Sequence, residues 1–79
     1  MDSKELVKQS VLKAIEICGT QDKLAERAGI TQGAVGKYIR KEAMPRGETA
    51  KSLSKAVNGA LSPYHFAPLI FDEPIKNFP

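Results

Sequence analysis

Seventy-nine residues, 42% of them apolar and five aromatic, make one small domain, because a chain of this length buries only about 60% of its unfolded surface, and a multi-domain enzyme is excluded. Twelve Lys and Arg against nine Asp and Glu leave a net charge of +3 and a pI near 9.2, which points to a polyanionic partner, nucleic acid first. The uncharged stretch from Val57 to Phe71 holds Asn58, Ser62, His65 and two prolines, short of the roughly 18 apolar residues of a membrane span, and the N-terminus lacks the basic start and apolar run of a signal peptide, so a cytoplasmic protein is expected.

Asp2 and Ser3 are cap residues before a first helix reaching Cys18, in which Val7, Val11, Ala14, Ile15 and Cys18 recur at spacings of three and four. Gly19 stops it. Thr20 then caps a second helix, Gln21 to Ala28, with Asp22 in the first turn where the helix dipole favours an acid. Gly29 ends that helix, Ile30 drops toward the core, and Thr31 caps a third helix from Gln32 to Arg40 or Lys41. A fourth helix runs from Pro45 or Arg46 to Val57 on an apolar stripe of Ala50, Leu53, Ala56 and Val57. Asn58-Gly59 stops it, and Ser62-Pro63 opens a short helix through about Leu69. No segment alternates apolar and polar residues over strand length, so the expected fold is an all-α bundle of four to five short helices. The domain spans residues 1–71, and 72–79 form a C-terminal tail with two prolines.

One cysteine and one histidine build neither a disulfide nor a zinc site, so no metal and no cofactor are implied. Cys18 lies on the apolar face of the first helix, where an inert buried thiol is the simpler reading than a nucleophile. His65 reads as a packed or half-exposed side chain rather than a general base. The chain is not expected to be an enzyme or to take a small-molecule substrate.

The twenty residues from Gln21 to Arg40 match a helix-turn-helix pattern. Ala25 sits where the two helices cross most closely, Gly29 takes the positive φ that turns the chain, and Leu24, Ala28, Ile30, Val35 and Tyr38 fill the wedge between them. The outward face of the third helix is Gln32, Gly33, Gly36, Lys37 and Arg40. Two glycines on a solvent face each cost roughly 1 kcal/mol relative to alanine, which suggests close approach of a partner such as a DNA major groove; the alternative is a pair of tolerated surface glycines. Gln32, at the first helical position, is placed to bond N6 and N7 of adenine, and Lys37 to meet bases or phosphate. Gln21 and Thr31 at helix starts, and Arg40, Lys41 and Arg46 beyond the helix end, are placed for phosphates, with Gln21 also able to brace Gln32 across the turn. From Lys37 to Lys55 six bases face Glu42 and Glu48, so this stretch carries +4 and the rest of the chain −1.

The run Gln21 to Arg40, then Met44-Pro45-Arg46, and the closing Ala60 to Phe71 with its Pro68-Leu69-Ile70-Phe71, resemble the Cro-like and YdaS-like repressors of bacteriophages and prophages. The resemblance covers nearly the whole chain. It implies a lambda-repressor-like fold, a final segment folded back on the core, operator binding as a dimer, and control of a lysogeny or toxin-antitoxin module. Tyr38 stands where family members often carry tryptophan, and Gly33 and Gly36 where they often carry polar readers. The favoured expectation is therefore a sequence-specific DNA-binding repressor that inserts the third helix into the major groove of a near-palindromic operator. Its homodimer would form in solution or on the DNA, using apolar residues near the C-terminus, among which Leu61, Phe66 and Leu69 are expected to cap the bundle and Ile75 and Phe78 to remain for contact. The rival is an antitoxin or protein-interaction adaptor whose basic face docks on an acidic protein.

Overall fold

Three of the five helices begin on a side chain that satisfies an N–H the helix itself leaves without a partner. In the computed structural model, which describes residues 2–73, Asp2 accepts from the Glu5 N–H at 2.8 Å and opens α1 (Ser3–Cys18). Thr20 accepts from the Lys23 N–H and opens α2 (Gln21–Ala28); Thr31 accepts from the Ala34 N–H and opens α3 (Gln32–Ile39). Arg46 takes the cap position of α4 (Gly47–Ala56) through its extended backbone, and Ser62 that of α5 (Pro63–Phe66), where its N–H donates to His65 Nδ1 at 3.1 Å. Among the described residues there is no strand, and no helix is long and apolar enough to cross a membrane.

One core joins all five helices. Val7, Val11 and Ala14 of α1, Leu24 of α2, Val35 of α3, Leu53 of α4 and Phe66 of α5 are buried together, and Ile15, Ile30, Ile39 and Leu61 pack partly against them. Ser54 Oγ donates to the Leu61 carbonyl at 2.7 Å and ties α4 to the segment that precedes α5. Cys18 is buried, with its Sγ 3.6 Å from the Ala56 carbonyl oxygen.

The ends of α3, α4 and α5 differ from the sequence expectation. The third helix stops at Ile39 because Lys41 turns left-handed (φ +62°), with the Lys41 N–H bonded to the Tyr38 carbonyl and the Glu42 N–H to that of Lys37. This closes the helix as glycine commonly does, without a glycine. The fourth begins at Gly47 rather than Pro45 or Arg46, since Arg46 is still extended (ψ 168°). The last stops at Phe66 instead of Leu69, because Ala67 precedes Pro68, and a residue before proline is pushed out of the helical region. A consequence falls on Leu69, expected to cap the bundle. It is 77% exposed and Ile70 59%, while Phe71 alone of this apolar trio packs against the core. The expectation for Ile75 and Phe78 lies outside the described residues.

Candidate nucleic-acid interface

The angle between α2 and α3 is set by three residues, Gly29 to Thr31. Gly29 is left-handed (φ +70°, ψ +32°), its N–H bonds the Glu26 carbonyl, and the Ile30 N–H returns to the Ala25 carbonyl. Two orphan carbonyls of α2 are satisfied in this way while the chain reverses toward α3. Ala25 is 3% exposed and Val35 fully buried. The small residue and the left-handed glycine thus hold α2 and α3 as one two-helix unit, with Tyr38 turned inward; burial raises the Tyr38 pKa.

On the outer side of this unit the structure places Gln32, Gly33, Lys37 and Arg40 as exposed residues, and Thr31 beside them as the cap. Gln21 reaches across the turn, its Nε2 donating to the Gln32 main-chain oxygen at 3.4 Å. The Gln32 side chain has a different partner: its Nε2 donates to Asp22 Oδ1 at 2.6 Å. Asp22 was legible in the sequence only as an acid suited to a helix start.

Gly36 departs from the expected open face. It is buried, because Arg40 folds back over it: a methyl group at Gly36 would stand 2.8 Å from Arg40 Nη1. The guanidinium is held there by Glu42, whose carboxylate accepts from Arg40 Nε at 2.9 Å. Gly33 by contrast is open, with only Thr31 Oγ1 within 3.8 Å of an added methyl. Gly33→Ala is therefore expected to stabilise the free protein by about 0.5–1 kcal/mol, the helix-propensity difference, read as a rise in the urea midpoint; a fall would place an obstruction where the chain has space.

The remaining bases divide. Lys41 is drawn to α1, where Glu5 accepts from its ammonium while also accepting from Gln9 Nε2 at 2.7 Å. The Gln9 hydrogen bond and then the Lys41 ammonium hold the Glu5 pKa below the usual carboxylate value, and the Arg40 hydrogen bond does the same for Glu42. Lys37 and Arg46 are exposed and, among the described residues, make no ion pair. Of these four bases, Arg40 and Lys41 are thus each held by a carboxylate, Glu42 and Glu5 respectively.

No curated protein and no solved structure matched the chain. A family match runs from residue 11, within α1, to residue 75, past the last helix, and it is to the family described as bacterial toxin YdaS. With most of its length matched, the chain belongs to the YdaS bacterial toxin family.

Proposed function

We propose that the protein is a sequence-specific DNA-binding repressor that seats α3 in the major groove of an operator and excludes polymerase from a promoter. The observation that carries this reading is the start of α3: Gln32 and Gly33 stand open, with Lys37 one turn on, on a helix set against α2 by left-handed Gly29. Gln32 reads a base edge, Gly33 lets the groove approach the backbone, and Lys37 meets bases or phosphate. Gln21, Thr31, Arg40, Lys41 and Arg46 meet phosphates, Arg40 and Lys41 by exchanging Glu42 and Glu5 for the DNA backbone. No step of this function is catalytic.

A two-turn helix touches too few base pairs to single out one site among the roughly 10⁶ or more of a genome. A second copy supplies the other half-site, about 34 Å away along a near-palindromic operator. The exposed Leu69 and Ile70, the latter beside the start of α4, supply the contact.

Selection of binding sites from a random DNA pool tests the reading, because it reports binding, base preference and dyad symmetry together. On the selected site Gln32→Ala is expected to cost about 1–3 kcal/mol of specific binding and to leave random-sequence binding unchanged. Arg40→Ala is expected to weaken both and to lower the salt slope by about one unit. Equal losses from Gln32→Ala on both DNAs, or an unchanged slope for Arg40→Ala, remove those residues from the interface. Gly33→Ala, though stabilising, is expected to bind more weakly.

The description of the family as a bacterial toxin favours a second reading, in which the protein harms its host by occupying DNA or a protein target. Growth of cells producing the wild type or a Gln32→Ala, Lys37→Ala variant separates the two routes. Relief of toxicity by the variant assigns it to DNA; persistence assigns it to an adaptor-like protein contact.

A further inference from the structure

We propose that Asp22 is a specificity-determining positioning residue: by holding the Gln32 amide through its nitrogen, it selects adenine over guanine at the base pair beneath the start of α3. The inference rests on the reading that α3 enters the major groove. A glutamine amide has one acceptor oxygen and two N–H donors, and its two ends exchange places by rotation about a soft terminal torsion. In this chain the exchange is opposed. Gln32 Nε2 donates to Asp22 Oδ1 at 2.6 Å, and turning the amide over sets Oε1 against the carboxylate, acceptor against acceptor.

Both residues stand at the starts of helices that threonines cap. Asp22 belongs to the first turn of α2, which Thr20 caps and where the dipole favours a negative charge. The main chain of Gln32 is tied to the same helix by Gln21 Nε2. With one N–H committed to Asp22, the amide retains one N–H and Oε1. Those two are the groups that adenine requires, its N7 accepting and its N6 amino group donating. Guanine offers N7 and O6, both acceptors, and the outward Oε1 of Gln32 opposes O6. The carboxylate also carries a cost: a negative charge at the DNA face lowers affinity for every sequence. Asp22 therefore trades general affinity for base choice, which a residue serving only to cap a helix does not do.

Asp22→Asn separates these roles. The asparagine amide offers both an acceptor and a donor, so either orientation of Gln32 is satisfied and the charge is gone. Wild type, Asp22→Asn and Gln32→Ala are titrated by fluorescence anisotropy against the selected duplex, its single A-to-G variants and a random duplex at one salt concentration. The wild type is expected to prefer adenine by about tenfold or more at one position of each half-site, and Gln32→Ala to lose that preference. Asp22→Asn is expected to reduce it to near unity while binding random duplex at least as tightly as the wild type. An unchanged adenine preference in Asp22→Asn, with the preference lost in Gln32→Ala, overturns the role of Asp22 and leaves the DNA reading standing. A wild type without any base preference overturns the DNA reading, and this proposal with it.

Discussion

Phe66→Ala is expected to lower the free energy of unfolding by about 3–5 kcal/mol, the usual cost of removing a fully buried aromatic ring. Phe66 is the largest side chain with no exposure, and it belongs to a helix of four residues. A single helical turn has no stability of its own in water, so α5 exists because its one buried ring packs on α1 and α4. The Ser62 N–H to His65 Nδ1 bond orients the turn but exchanges with water on opening. Without the ring, the Ser62–Phe71 segment loses its anchor and the core it shares with α1 and α4 is opened. Against the 5–15 kcal/mol typical of small domains, that loss is a large share of the total. Urea denaturation followed by circular dichroism measures it. A loss below about 1 kcal/mol would mean that α5 is held by something other than its phenylalanine.

Gly29→Val is expected to cost about 2–3 kcal/mol, in the upper part of the range for a residue forced into a sparsely populated backbone conformation. The cost is backbone strain and not collision: a methyl group placed on Gly29 meets no atom within 4 Å, yet φ is +70°. L-residues are disfavoured there, β-branched ones most, and asparagine least among those with a side chain. The series Gly29→Asn, Gly29→Ala, Gly29→Val is therefore expected to lose stability in that order. Thermal unfolding ranks the variants, and equal losses for all three would contradict the assignment to backbone strain. Lys41 and Asn58 show that this chain does place side chains at positive φ, at the ends of α3 and α4. At Gly29 the conformation also sets the angle of the candidate reading helix, so the surviving folded fraction of Gly29→Val is expected to bind the selected operator more weakly.

Much of the fold and the placement of some candidate site residues were legible in local sequence, for reasons that stop at about one helical turn. Thr20 and Thr31 lie three residues before the N–H groups they accept from, and Gly29 lies one residue past the end of α2; interactions this short in sequence depend on little else. The apolar spacing of Val7, Val11 and Ala14 likewise specifies a buried face whatever it is buried against. Gln32, Gly33 and Lys37 as the open side of α3 follow from the same periodicity. The end of α3 carries no such local signal, because Lys41 takes the position where a glycine is usual and its side chain is held by Glu5, thirty-six residues earlier in the chain.

By itself, then, the sequence determined an all-helical chain, its caps, its turn and the face that α3 leaves open, since each depends on spacing along one or two helices. Tertiary structure alone decided what each polar group on that face touches. Gly36 belongs by periodicity to the open side but is roofed by Arg40, because Glu42 stands close enough to hold the guanidinium over it. Leu69 belongs by composition to the core yet faces outward, because Pro68 ends α5 before the turn that would have carried Leu69 inward. Asp22 and Gln32 lie ten residues apart on separate helices, and no period relates them. Only the left-handed turn at Gly29, by bringing two helix starts side by side, puts the Asp22 carboxylate against the Gln32 amide.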